Sequence, residues 1–100
     1  LKAGADAVID VSKGTVDDHI AQVKGILNGD LPRVTLDCTG FESSMRLAIN
    51  ATRTGGIIVL VGMGSHEMNL PIADALCREV TFKGVFRYRH CYPTAISMVA

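Results

Sequence analysis

The residues best suited to hold a ligand stand at the ends of short apolar runs. Cys38-Thr39-Gly40 closes one run, Val61-Gly62-Met63-Gly64-Ser65 a second, and Val85-Phe86-Arg87-Tyr88 a third. A glycine at such a point lets a ligand approach backbone N–H and C=O groups with no β-carbon in the way. Taken singly, Gly40, Gly62 and Gly64 need serve only turns. The Gly62-x-Gly64 pair is not a dinucleotide fingerprint, because the third glycine is missing and Ser65-His66-Glu67 does not open a long amphipathic helix. Arg87 and Tyr88 offer a guanidinium fork and a phenol, both able to hydrogen-bond hydroxyl groups. Their plainer use is a surface ion pair and a tyrosine at a helix–sheet junction. Asp37, at the end of its run, can approach a ligand or serve a structural hydrogen bond.

The remaining reactive side chains point to no metal centre and no catalytic residue in this chain. His90 and Cys91 are adjacent, and neighbours in a loop rarely aim at one ion. His19 is expected on a solvated helix face and His66 in a loop, neither with a catalytic partner in view. Cys38 reads as a small buried hydrophobe. The three cysteines are odd in number and widely spaced with no Cys-x-x-Cys, which argues against a disulfide framework and a compact zinc motif. A reducing, cytoplasmic setting fits that pattern.

Four segments have the β-branched, aliphatic character of strands: Ala7 to Val11, Val34 to Cys38, Ile57 to Val61 and Val80 to Val85. The second and third are almost continuously apolar, which suits strands covered on both faces. Val16, Ile20, Val23 and Leu27 fall on one face of a helix, with Thr15 as N-cap, Asp17 and Asp18 at its positive end and Asn28-Gly29-Asp30 as its stop. Met45, Ala48, Ile49 and Thr52 form a second stripe that Gly55-Gly56 breaks. A shorter helix is expected from Pro71 to Arg78, another opens at Pro93, and Gly4 reads as the C-cap of a helix end. This alternation predicts an α/β, doubly wound parallel sheet. In such a sheet ligands bind beyond the carboxyl ends of the strands, the edge at which Gly40, Gly62, Gly64 and Arg87 would meet.

Ten lysines and arginines balance ten aspartates and glutamates, so no strong field favours nucleic acid or an anionic membrane surface. No apolar run approaches the roughly 20 residues of a membrane span. With 100 residues, a start at Leu1 and an end inside the apolar Ile96 to Ala100, the chain is expected to be a piece of a longer protein. On its own it should expose apolar surface and unpaired edges, and so associate.

The motifs Gly4-Ala5-Asp6, Val34-Thr35-Leu36-Asp37-Cys38-Thr39-Gly40, Ala51-Thr52-Arg53-Thr54-Gly55-Gly56, Val61-Gly62-Met63-Gly64-Ser65 and Lys83-Gly84-Val85-Phe86-Arg87-Tyr88 occur in one order. In that order and spacing the chain resembles the medium-chain, zinc-dependent alcohol and polyol dehydrogenases over essentially its whole length. The Arg87-Tyr88 ending resembles the polyol, sorbitol-dehydrogenase-like branch. The resemblance implies that residues 1–100 are the C-terminal part of a Rossmann-like coenzyme-binding domain, the zinc ligands and the glycine fingerprint lying outside the chain. It implies NAD or NADP as coenzyme, with Val61, Gly62, Met63, Val85, Phe86 and Arg87 around the nicotinamide. Arg87 and Tyr88 would stand beside a polyol or ketose, and the full protein would be a homotetramer.

The resemblance further implies that zinc acidifies the polyol hydroxyl and that a hydride then passes to the nicotinamide. The piece alone would be inactive. Arg89-His90-Cys91 departs from the more neutral stretch of many relatives and bears on fine substrate preference. Two other readings stay open: a zinc-free reductase of the same superfamily, and a dinucleotide-binding regulatory protein that has lost catalysis.

Overall fold

Residues 34–84 contain every regular strand of the computed structural model, which describes residues 2–100. The elements are α1 (Val16–Ile26), β1 (Val34–Asp37), α2 (Glu42–Ala51), β2 (Ile57–Leu60), α3 (Ile72–Cys77), β3 (Thr81–Gly84) and α4 (Tyr92–Val99). The strands form one parallel sheet in the order β1-β2-β3, with Val34 level with Ile57 and Thr81. This is the parallel α/β sheet that the alternation of elements predicts, and it fits the incomplete Rossmann-like domain that the resemblance implies. Its strands fall within a residue or so of the expected bounds.

Side-chain alternation divides the sheet into unlike faces. Ile58 points into a core with Ala48 and Ile49 of α2 and Ala75 of α3, and Leu60, Phe82, Leu70 and Val80 pack around it. Thr52 is fully buried there; its hydroxyl donates to Ala48 O at 2.7 Å and lies 2.7 Å from the Thr35 hydroxyl. Arg78 holds the C-terminal end of α2 by donating to the carbonyls of Ile49 and Thr52, which the last turn of a helix otherwise leaves unpaired. The opposite face carries Val34 and Leu36, 54% and 61% exposed. Coverage on both faces, expected from the apolar runs, is therefore not found among the described residues.

Three further expectations are corrected. Ala7 to Val11 is not a strand: Ala7 to Asp10 have no regular structure and Val11 begins a turn, because a strand exists through hydrogen bonds to a neighbour and none of the described residues pairs with this segment. Ala7 and Ile9 instead border a shallow groove with Val23 and Ile26 of α1 and with Leu27, its C-cap. His19 is buried, not solvated: its Nε2 lies 2.7 Å from Lys13 O, so the ring folds back over the segment preceding α1. Cys38 is exposed, not buried, because strand alternation places it with Val34 and Leu36 on the open face.

The helices follow their stripes. Thr15 caps α1 in a reciprocal box: its hydroxyl accepts from Asp18 N at 3.3 Å and its own N–H donates to Asp18 Oδ2 at 2.9 Å. Such a cap contributes about 1 kcal/mol. Asn28 and Gly29 then take positive φ, which ends the helix. In α2 the predicted stripe is the buried one, with Met45, Ala48 and Ile49 inward. Helix α4 has a proline in its first turn and no buried residue.

Candidate functional site

The carboxyl ends of β1 and β2 are built as one unit. Asp37 is buried and its carboxylate closes the turn after β1: Oδ1 accepts from the Thr39 hydroxyl at 3.1 Å, and Oδ2 from Gly40 N at 3.2 Å. Its carbonyl accepts from both Val61 N at 2.9 Å and Gly62 N at 2.8 Å, which ties the two strand ends together. Asp37 thus has the structural hydrogen-bonding role that was one of its two readings, while also lining the cleft beside it.

The glycines bring the two loops into backbone contact. A β-carbon on Gly62 would stand 2.6 Å from the backbone of Cys38, Thr39 and Gly40, and one on Gly64 would collide with Gly40 O. Gly40 adds a φ of +77°, a conformation that L side chains rarely adopt. Turn and close approach are both required here, but the partner approached is the neighbouring loop. No spacing in the sequence reveals that the two loops touch.

Beside this unit lies an open cleft of about 410 Å³, bordered by Asp37, Met45, Leu60, Met63, Ser65 and His66. It opens at the carboxyl edge of the sheet, where a parallel sheet binds its ligands. Gly62 and Met63 lie on the cleft wall, and Val61 precedes them at the end of β2. Among the described residues, no hydrogen bond uses the carbonyls of Val61, Gly62 and Met63 or the Met63 N–H.

The end of β3 comes alongside but not into the cleft. Val85 N donates to Leu60 O at 3.1 Å, extending the sheet by one bond. Beyond it Phe86 and Tyr88 are 70% and 66% exposed. The Phe86 and Arg87 N–H groups and the Val85 carbonyl have no backbone partner among the described residues. Arg87 has φ 60° and its guanidinium lies 5.0 Å from the Phe86 ring centroid, a cation–π contact. Tyr88 meets Tyr92 of α4 edge to face with centroids 4.9 Å apart.

Sequence reasoning missed the clamp on the segment after β2. Asn69 N donates to Glu42 Oε1 at 2.9 Å, and Arg46 Nη1 donates to Asn69 O at 2.6 Å. The four-residue spacing of Glu42 and Arg46 marks a common helix face, but nothing local in the sequence names Asn69 as their partner.

No group of three or more His, Cys, Asp or Glu side chains among the described residues could hold a metal ion. His90 and Cys91 are exposed, and the Cys91 thiol donates to Arg89 O at 3.0 Å. The residues present therefore do not fit a zinc site. No described helix is long and apolar enough to cross a membrane.

The family model for zinc-binding dehydrogenases matches residues 1–100. Sorbitol dehydrogenase of Mus musculus is 48% identical over 99 residues, which are 99% of this chain and 28% of that protein. Among solved structures, 2R,3R-butanediol dehydrogenase from Bacillus subtilis superposes with a TM-score of 0.74 at 29% identity, over 90% of this chain and 25% of that one. L-Idonate 5-dehydrogenase from Escherichia coli does so with a TM-score of 0.75 at 27% identity, over 97% of this chain and 26% of that one. The chain thus spans about a quarter of the length of the relatives it matches. A parallel sheet whose glycine-tied strand ends open one cleft, matched by the family model from first residue to last, makes this chain a member of the zinc-binding dehydrogenase family.

Proposed function

We propose that this chain is the C-terminal part of the coenzyme-binding domain of a polyol dehydrogenase. The complete enzyme transfers a hydride between a polyol, such as sorbitol, or its ketose and NAD or NADP. The observation that carries the reading is the pair of strand ends with unused backbone groups: the carbonyls of Val61, Gly62 and Met63 beside the N–H groups of Phe86 and Arg87. A carboxamide presents one acceptor and one donor pair, and groups on adjacent strands hold both in fixed relation. Val61, Gly62, Met63, Val85, Phe86 and Arg87 would border the nicotinamide.

Arg87 and Tyr88 would then face the polyol. Both are exposed at the edge beyond the cleft, where a guanidinium and a phenol can bind several hydroxyl groups. The 48% identity to sorbitol dehydrogenase favours this branch over a zinc-free reductase. Zinc, held by residues outside this chain, would supply Lewis acidity toward the substrate oxygen. This chain's share is to hold and orient the coenzyme and the polyol. The reading places the complete enzyme in the cytoplasm as a homotetramer.

The test is absorbance at 340 nm with the complete enzyme, sorbitol, and NAD or NADP in separate cuvettes, with and without a zinc chelator. Chelator-sensitive reduction of one coenzyme is expected and identifies it. Coenzyme binding with no turnover of any polyol would overturn the reading in favour of the regulatory one.

A further inference from the structure

Residues 63–69 run without regular structure from the end of β2 toward α3, and they form one wall of the cleft. Their backbone has little to hold it. Among the described residues, the only hydrogen bonds to this backbone are the two at Asn69, from Asn69 N to Glu42 and from Arg46 to Asn69 O. Glu42 and Arg46 lie four residues apart on α2, so both reach the same side of the helix. That helix is a firm reference: Met45, Ala48 and Ile49 are buried, and Arg78 fastens its far end.

At its other end the segment is fixed by contact, since Gly64 lies against Gly40 too closely for any β-carbon. Ser65, His66 and Met68 of the cleft wall are therefore strung between two anchors, one steric at Gly64 and one electrostatic at Asn69. We propose that Glu42 and Arg46 are positioning residues for the coenzyme site, acting through Asn69 on the cleft-wall residues Ser65 to Met68. The assignment rests on the coenzyme reading above. Releasing Asn69 lets residues 63–69 sample more conformations, and coenzyme binding must then order them again at the expense of affinity. Both bonds are solvent-exposed, so their loss should cost the fold little.

The acceptor and donor geometry separates positioning from bulk charge. Glutamine at position 42 keeps an Oε1 that can accept from Asn69 N, and lysine at 46 keeps one donor for Asn69 O; alanine keeps neither. The experiment uses the complete enzyme with Glu42→Ala, Glu42→Gln, Arg46→Ala and Arg46→Lys. It reads NADH and NADPH affinity by coenzyme fluorescence, coenzyme KM against kcat, amide exchange over residues 63–69 without coenzyme, and the unfolding midpoint.

The alanine variants are expected to bind coenzyme about five-fold more weakly, with kcat within about two-fold of wild type. They should exchange faster at Asn69 and its neighbours, at an unchanged midpoint. The Gln and Lys variants should recover most of the affinity. Wild-type affinity in both alanine variants would overturn the assignment and leave the coenzyme reading standing, as would a loss that merely tracks a lowered midpoint. A wild-type enzyme that binds neither NADH nor NADPH would overturn the coenzyme reading, and the assignment with it.

Discussion

The two ends of the candidate site are held by different means. Around β1 and β2 the loops are locked by backbone contact among Gly40, Gly62 and Gly64, by the buried Asp37 carboxylate, and by the anchored helix α2. After β3, residues 85–100 are exposed without exception, and three side-chain contacts among them are local: Arg87 with Phe86, Tyr88 with Tyr92, Cys91 with Arg89. Both regions lie at the carboxyl edge of one sheet. The first is preorganised by this chain alone, whereas the second has the residue types for recognition without the packing to fix them. Geometry around β1 and β2 is thus intrinsic, whereas the exposed segment after β3 is not fixed by packing against the rest of the described residues.

The largest effect should follow from taking the chain out of its full-length protein. The open sheet face with Val34, Leu36 and Cys38, together with Ile96, Met98 and Val99 of α4, is apolar and uncovered. Expressed alone, residues 1–100 should associate or melt without cooperativity, as judged by sedimentation and circular dichroism. A monomer with a cooperative melt would mean that the packing after β3 is better than its exposure implies.

Next in size is a pair of glycine substitutions that contrast the two regions directly. Gly64→Ala drives a β-carbon into Gly40 O, whereas Gly84→Ala places one where nothing lies within 4 Å. In the complete enzyme the first should cost ~3 kcal/mol or more and abolish coenzyme binding, while the second should stay within ~1 kcal/mol. Equal effects in denaturant melts would show that the loop contact is softer than its distances indicate. After β3 the pattern should invert. Arg87→Ala and Tyr88→Phe should shift stability by no more than ~0.5 kcal/mol while raising the polyol KM about ten-fold. An unchanged KM would return both side chains to surface roles.

How much of this was legible in the sequence divides along similar lines. The stripe of α2, the cap at Thr15 and the strands β1 to β3 are local patterns, and periodicity reported them to within a residue or so. Ala7 to Val11 failed because composition reports the capacity to form a strand and not the presence of a partner. Cys38 failed because coverage on both faces was assumed, although alternation alone would have set it beside Leu36. His19 failed because a polar side chain at the edge of an apolar stripe looks solvated until its acceptor, Lys13 O, is known. The glycine contacts and the Asn69 clamp join residues some 20 or more positions apart, and no local signal encodes such pairings.

The smallest expected effect lies far from the site, at the start of α1, and it offers a scale for what an exposed local device can do. The Asp18 carboxyl is held below its ordinary value first by the Thr15 N–H and then by the Thr15 hydroxyl, with a further contribution from His19. A carboxyl with a depressed folded-state pKa stabilises fully above its unfolded-state pKa, and that share is lost as pH falls through the folded value. Amide protection in the first turn of α1 should therefore weaken as pH falls through and below the ordinary carboxylate range, with the global fold intact. Asp18→Asn removes the titrating group while leaving an oxygen that can still accept from Thr15 N, so it should flatten that limb without unravelling the helix. A wild-type limb in Asp18→Asn would point to another group. The neighbouring candidate is Asp10, whose carboxyl is likewise lowered, through the Ser12 hydroxyl and N–H. If both substitutions leave the limb untouched, the capping box adds nothing that protonation can remove, and α1 is held by Ile20, Val23 and the buried His19.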